Sequence, residues 1–342
     1  MTKFKGLSTG IGSLPHEDAA RAVDLVFKYV QNIPFWPQLP RRDFREGMLI
    51  QFSEKIPCVR LIDKGLYFDP NEDELERFYA KIIEQDLEYF KISKEFALGL
   101  YEFHRRLKER SMPQIEFLKG QITGPFTFAA SINDSEGLAL INNAVYMQVI
   151  IKGLIMKALW QIKFFQEFGK KVVIFIDEPF LSCFGSGFTP LNREDVCKGL
   201  SEVADAIKQA GGLVGVHCCG NTDWSIFTEI KGIDIINFDA FDFMERFILY
   251  GDYFRAFLKR GGLICWGIVP TQLFTGEETT DLLVRRIRDG INKLVAKGVE
   301  ESLIVDGLLL SPSCGLGTFT PEKAEKIFTL LADTSESIRK FL

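Results

Sequence analysis

From about residue 115 onward, short apolar runs alternate with longer stretches in which apolar positions recur at helical spacing. The runs predict strands at 115–122, 172–176, 213–216, 233–238, 263–268 and 302–310; the periodic stretches predict helices at 136–168, 193–210, 279–296 and 321–342. Thr189-Pro190 and Thr320-Pro321 place a capping residue ahead of a proline, which marks helix starts. Near the amino terminus, 8–12 reads as a first strand and 18–30 as its helix. Strands that alternate with helices form parallel βαβ units. The count is one strand short of an eight-stranded barrel, and the missing second strand is expected within 48–68, where 56–66 also reads as a hairpin. No Gly/Ser/Pro linker or internal repeat divides the chain. The expectation is therefore an α/β protein, a single (β/α)8 TIM barrel over residues 1–342 with an elaborated amino-terminal segment; a doubly wound open sheet is the rival.

Polar residues fall in a telling place. Gly12-Ser13, Thr123-Gly124-Pro125, Asp177-Glu178-Pro179, residues 217–221, Asp239, residues 267–271 and residues 311–315 each follow directly after an apolar run. In a parallel barrel all of these points lie on the carboxyl-end face, where such barrels put their active sites.

The chemistry concentrates in Val216-His217-Cys218-Cys219-Gly220-Asn221 and Ser313-Cys314-Gly315. His217 and Cys219 stand two apart, so on a strand both side chains point the same way. Cys314 follows the apolar run 308–310. One imidazole and two thiolates are a soft donor set suited to zinc, with one position left open. Asp239 is the candidate fourth ligand, exchanging for substrate. A thiol bound to such a centre loses its proton near neutral pH and stays nucleophilic, so alkyl transfer onto sulfur fits better than hydrolysis. The competing reading is packing, since an isolated buried cysteine behaves as a small hydrophobe. Packing is expected for Cys218, which points the other way, and for Cys58, Cys183, Cys197 and Cys265. His104 is expected on the surface, whereas His16 could line the site. Asp177 could take the ammonium of an amino-acid substrate or cap the next helix. Gly12 and Ser13 offer N–H groups and a hydroxyl to a carboxylate.

Composition narrows the partners. With 46% apolar and 25% charged residues the chain can bury a sizeable core, and a formal charge of −5 with no basic block speaks against nucleic acid. The most membrane-like stretch, 138–160, is broken by Asn142, Asn143, Gln148, Lys152 and Lys157, as in a buried helix, so no membrane association is expected. Residues 1–6 lead into no apolar signal core, and seven cysteines is an odd number, which together predict a reducing, cytoplasmic setting.

Five segments carry a family resemblance. Thr9-Gly10-Ile11-Gly12-Ser13-Leu14-Pro15, Thr123-Gly124-Pro125, Ile176-Asp177-Glu178-Pro179 and Ser313-Cys314-Gly315-Leu316 resemble the first strand, TGP turn, IDEP segment and DCGL loop of cobalamin-independent methionine synthase. His217-Cys218-Cys219-Gly220-Asn221-Thr222 resembles the HxCGNT of the methylcobalamin:coenzyme M methyltransferases. The chain thus looks like the superfamily that joins these enzymes with uroporphyrinogen decarboxylase, and the likeness spans nearly its whole length. The resemblance implies zinc on His217, Cys219 and Cys314, with Asp239 at the position of the family's glutamate ligand. It also implies that Ser13 and Asp177 hold the carboxylate and amino group of homocysteine. The family's tryptophan after TGP is replaced by Thr127-Phe128-Ala129-Ala130-Ser131, and the amino-terminal folate-binding barrel has no counterpart. The implied activity is a zinc-dependent methyltransferase acting on a thiol, homocysteine above all, in methionine biosynthesis, with a methyl-corrinoid protein or a methyl-tetrahydropteridine as donor. Two alternatives stand beside it. One is a carboxy-lyase of the uroporphyrinogen decarboxylase type, which Pro34-Phe35-Trp36 with Arg41, Arg42 and Arg45 resembles, those arginines otherwise forming a solvated loop. The other is a non-catalytic barrel that binds a corrinoid or pterin.

Overall fold

The structure, a computed structural model, describes residues 4–186 and 191–341. Seven strands, β1 (Leu7–Ser8), β4 (Phe117–Thr123), β5 (Lys171–Asp177), β6 (Leu213–Cys218), β7 (Ile235–Phe238), β8 (Leu263–Val269) and β9 (Leu308–Pro312), form one parallel sheet in the order β1-β9-β8-β7-β6-β5-β4. Two further strands, β2 (Val59–Ile62) and β3 (Gly65–Phe68), pair with each other as an antiparallel hairpin outside that sheet.

The expected closed eight-stranded barrel is therefore corrected: the sheet is a seven-stranded half-barrel, and residues 48–68 do not supply an eighth strand. Segment 33–39 lies in the seam between β4 and β1. It touches both edges through isolated bridges, Phe35 to Lys119 and Gln38 to Ser13. Pro34 and Pro37 have no N–H to donate, so this segment cannot sustain a ladder. A few backbone hydrogen bonds still hold it, from the Lys119 amide to the Pro34 carbonyl (2.9 Å) and from the Gln38 amide to the Gly12 carbonyl (3.1 Å), and side chains add to them. Trp36 Nε1 donates to Gln161 Oε1 (2.9 Å), and Gln161 Nε2 donates to the Gln121 carbonyl (2.9 Å).

Strand side chains alternate between two environments, as the period of two demands. Phe117, Val173, Phe175, Ile235, Cys265 and Leu309 form a cluster on the concave face, while Leu118, Ile174, Val216, Ile236, Ile264 and Leu310 pack with the helices in the main core. That main core draws residues from Leu14 to Ile338. The helices are α1 (Ala19–Tyr29), α2 (Glu72–Ile83), α3 (Leu98–Glu109), α4 (Pro125–Ala130), α5 (Ala144–Phe165), α6 (Arg193–Gln209), α7 (Trp224–Glu229), α8 (Met244–Phe247), α9 (Gly251–Lys259), α10 (Thr280–Ala296), α11 (Glu301–Asp306) and α12 (Pro321–Phe341). Asp18 caps α1 through the amides of Ala20 and Arg21, and Pro321 opens α12. Thr189-Pro190 lies outside the described residues; α6 is capped by Asn192, whose side chain accepts from the Asp195 amide.

Two expected elements differ. The helix expected over 136–168 begins only at Ala144, because Asp134 folds 134–138 into a turn and Asn143 supplies the cap. The strand expected over 302–310 splits at Gly307 into α11 and β9. The apolar α5 has the length to cross a membrane, but 67% of its most apolar window is buried inside the protein, as in a core helix.

Candidate functional site

Alternation along the strands places the site. On β5, Val173 and Phe175 face the concave side, so Asp177 does too; on β6 the same parity turns His217 inward and Cys218 into the main core. Asp177 and His217 are direct neighbours in the β5–β6 register. Cys314 stands just beyond β9, which is separated from β6 by β7 and β8. The sheet curls enough to bridge that gap. The ligand atoms of His217, Cys219 and Cys314 all lie within 4.8 Å of one another, the one such group of three or more among the described residues. They lie on the wall of a cleft of about 620 Å³ that Ser13, Asp177 and Arg41 also line.

His217 is 3% exposed, and its ring is fixed from behind. Asn237 Nδ2 donates to the Cys265 carbonyl and to Ser311 Oγ, both at 2.9 Å, which commits its amide oxygen to His217 Nδ1 at 2.5 Å. Nδ1 then carries the proton, which leaves Nε2, in hydrogen-bond contact with the Cys219 sulfur, as the ring nitrogen that could meet a cation. That is the arrangement metal-binding histidines use.

The two cysteines hydrogen-bond to each other. The Cys314 thiol hydrogen-bonds to Cys219 and, with His217, holds it far below the ordinary thiol range, while the same contact pushes Cys314 up. Two half-buried cysteine sulfurs and a buried imidazole form a donor set that fits zinc.

Asp177 is 4% exposed, and its Oδ1 has no hydrogen-bond partner. Burial pushes its carboxyl up to about 6, while His217 and Lys119 pull it down. An unmet buried acceptor is costly, so this atom calls for a donor from a ligand. Glu178 faces the other way. Its carboxylate accepts from the amides of Phe126 (3.0 Å) and Thr127 (2.8 Å) and from Thr127 Oγ1 (2.6 Å), and so caps α4. The helical turn that follows β5, Pro179–Cys183, has no side-chain cap, so Asp177 does not fill the capping role weighed for it.

Ser13 lines the cleft; its Oγ accepts from the Gly317 amide (3.2 Å) and its carbonyl from the Leu316 amide (2.9 Å). Gly12 is set back. A side chain there would approach Gln38 Oε1 to 2.8 Å, so Gly12 serves close packing. Asp239 lies outside the three-residue cluster. Its Oδ1 accepts from the amides of Phe241 (2.9 Å) and Asp242 (3.0 Å), which caps the turn after β7, and burial pushes it up to about 6.

His16 is buried beside Asp18, Glu322 and Glu325 and does not line the cleft. His104 stacks on Phe164 (4.1 Å) and meets Glu167 at 2.5 Å, so it is half-buried. Cys58, Cys218 and Cys265 are buried and Cys197 half-buried, while Cys183 is exposed and so departs from the packing role expected of it.

Two residues went unassigned from sequence. Asn237 sits inside an apolar strand, and Lys119 is fully buried on β4, where its Nζ donates to the Ile11 carbonyl (2.6 Å). Burial lowers Lys119 to about 8 against the pull of Asp177. The inward parity of β4 and β7 was the available signal for both. Arg41, named in the decarboxylase resemblance and otherwise expected in a solvated loop, is exposed and lines the cleft.

No family model matches the chain, and no curated protein matches it. A solved structure described as 3-keto-D-glucoside 4-epimerase, YcjR, from E. coli, apo form, shows a TM-score of 0.35 and 13% identity, covering 69% of this chain and 85% of that one.

Proposed function

We propose that this chain is a zinc-dependent methyltransferase that moves a methyl group onto a thiol, with homocysteine as acceptor. The observation that carries the reading is the convergence of His217, Cys219 and Cys314 within 4.8 Å on a cleft wall. The metal, when bound, lowers the pKa of an acceptor thiol and leaves its sulfur nucleophilic. The chain's own residues do the rest. Asn237 holds His217 with its Nε2 as the ring nitrogen that could meet a cation. The orphaned Oδ1 of Asp177 accepts from the acceptor's ammonium, and the Ser13 hydroxyl meets its carboxylate. In the transfer, the bond between the methyl carbon and its donor breaks as the carbon–sulfur bond forms. The thiol has by then given its proton to solvent, and the electron pair of the broken bond stays with the donor.

The quoted motifs support the same reading through their resemblance to methionine synthase and the coenzyme M methyltransferases. The donor is a methyl-corrinoid protein or a methyl-tetrahydropteridine. A cleft of about 620 Å³ has room for the acceptor beside the reacting end of either. The test is turnover of zinc-loaded protein with homocysteine and with coenzyme M, each against methylcobalamin and a methyl-folate. Formation of methionine supports the assignment; no product with any pairing, despite bound zinc, overturns it.

A further inference from the structure

Residues 41–45 carry three arginines, and two of them are committed to carboxylates. Arg42 Nε donates to Glu46 Oε1 (2.5 Å), and Arg45 pairs with Asp43 (2.7 Å) and Glu95 (2.8 Å). Arg41 forms no ion pair among the described residues. Its Nη2 donates to the Thr318 carbonyl (2.7 Å), which ties the guanidinium to the loop after β9 and leaves other N–H groups of its fork uncommitted. Among the described residues it is the one Lys or Arg side chain lining the cleft, and it shares that lining with Ser13 and Gly317.

The same cleft holds the complementary charge. Asp177 is buried, lines the cleft, and has an oxygen with no partner. One cleft therefore offers an unmet acceptor, an uncommitted cation and a cluster of soft metal donors.

We propose that Arg41 is a specificity residue that, beside the Ser13 hydroxyl, anchors the acceptor's carboxylate and so selects a thiol that carries one over an aminothiol that does not. The proposal rests on the thiol-acceptor reading above and deepens it. The planar guanidinium matches a carboxylate bidentately, which an ammonium does not. Arg41 is exposed, so its contribution is moderate.

The test compares L-homocysteine with 3-aminopropane-1-thiol, which is the same molecule without its carboxyl group. Thiol binding is read as the absorption change of cobalt-substituted protein and yields a Kd without turnover. Arg41→Met is expected to raise the Kd for homocysteine about tenfold, the worth of one charge-assisted contact at a solvent-facing rim, and to leave that for 3-aminopropane-1-thiol unchanged. Arg41→Lys should fall between. A Kd that rises equally for both thiols, or for neither, overturns the role of Arg41 while the thiol site stands. No absorption change with either thiol on the unsubstituted chain overturns the thiol-acceptor reading, and this proposal with it.

Discussion

Asn237 fixes the ring of a candidate ligand, His217. Its amide is fixed by two acceptors, so its oxygen can only face His217 Nδ1, and the imidazole then has a single tautomer. Asn237→Ala frees the ring and removes the proton's partner. Loss of such support behind a metal ligand typically costs about 10- to 100-fold in affinity. Competition against a chromophoric chelator should show zinc held that much more weakly, and an unchanged affinity would mean that His217 does not depend on this contact. Much at this scale was legible in the chain. The i, i+2 spacing of His217 and Cys219 on a strand fixes their common direction, and that same parity sends Cys218 into the core. Asp239 was not legible in the same way, because a strand-end acid looks alike whether it binds a metal or caps its own turn, as this one does.

At the scale of elements, Glu178 ties the end of β5 to α4. It is fully buried and accepts three hydrogen bonds from Phe126 and Thr127, yet burial still pushes its carboxyl up to about 7. A carboxyl whose folded pKa lies above its unfolded value of 4.5 stabilises the fold below that value, and the contribution is lost as pH rises through 7. Glu178→Gln keeps an acceptor and removes the charge. Urea unfolding should therefore show the stability of the variant relative to the parent increasing from pH 4.5 to pH 7; a difference independent of pH would remove Glu178 as the source. Most elements were readable from periodicity because each strand is a short apolar run buried on both faces. The exceptions were set by single residues: Asn143 delays α5, and Gly307 separates α11 from β9.

For the molecule as a whole, the decisive departure is the seam. Pro34 and Pro37 prevent segment 33–39 from forming a ladder, so seven strands curl without an eighth to close them. Periodicity could not reveal this, since the contacts that hold the seam are long-range: Trp36 to Gln161, and Gln161 to Gln121. Gln161→Leu would strand a buried indole N–H and a backbone carbonyl, which costs about 2 to 4 kcal/mol. Thermal and urea unfolding should report that loss, and a variant as stable as the parent would show that the seam does not need the bridge.

The same curl brings the loop after β9 to the end of β6, and so joins thiols far apart in the chain into one donor set. X-ray absorption at the zinc edge, with metal content measured on the same samples, tests this most directly. One zinc per chain with two sulfurs at about 2.3 Å and a nitrogen near 2.0 Å is expected, falling to one sulfur or to lost metal in Cys314→Ser. Zinc with no sulfur in its shell, or a shell unaltered by that substitution, would contradict it.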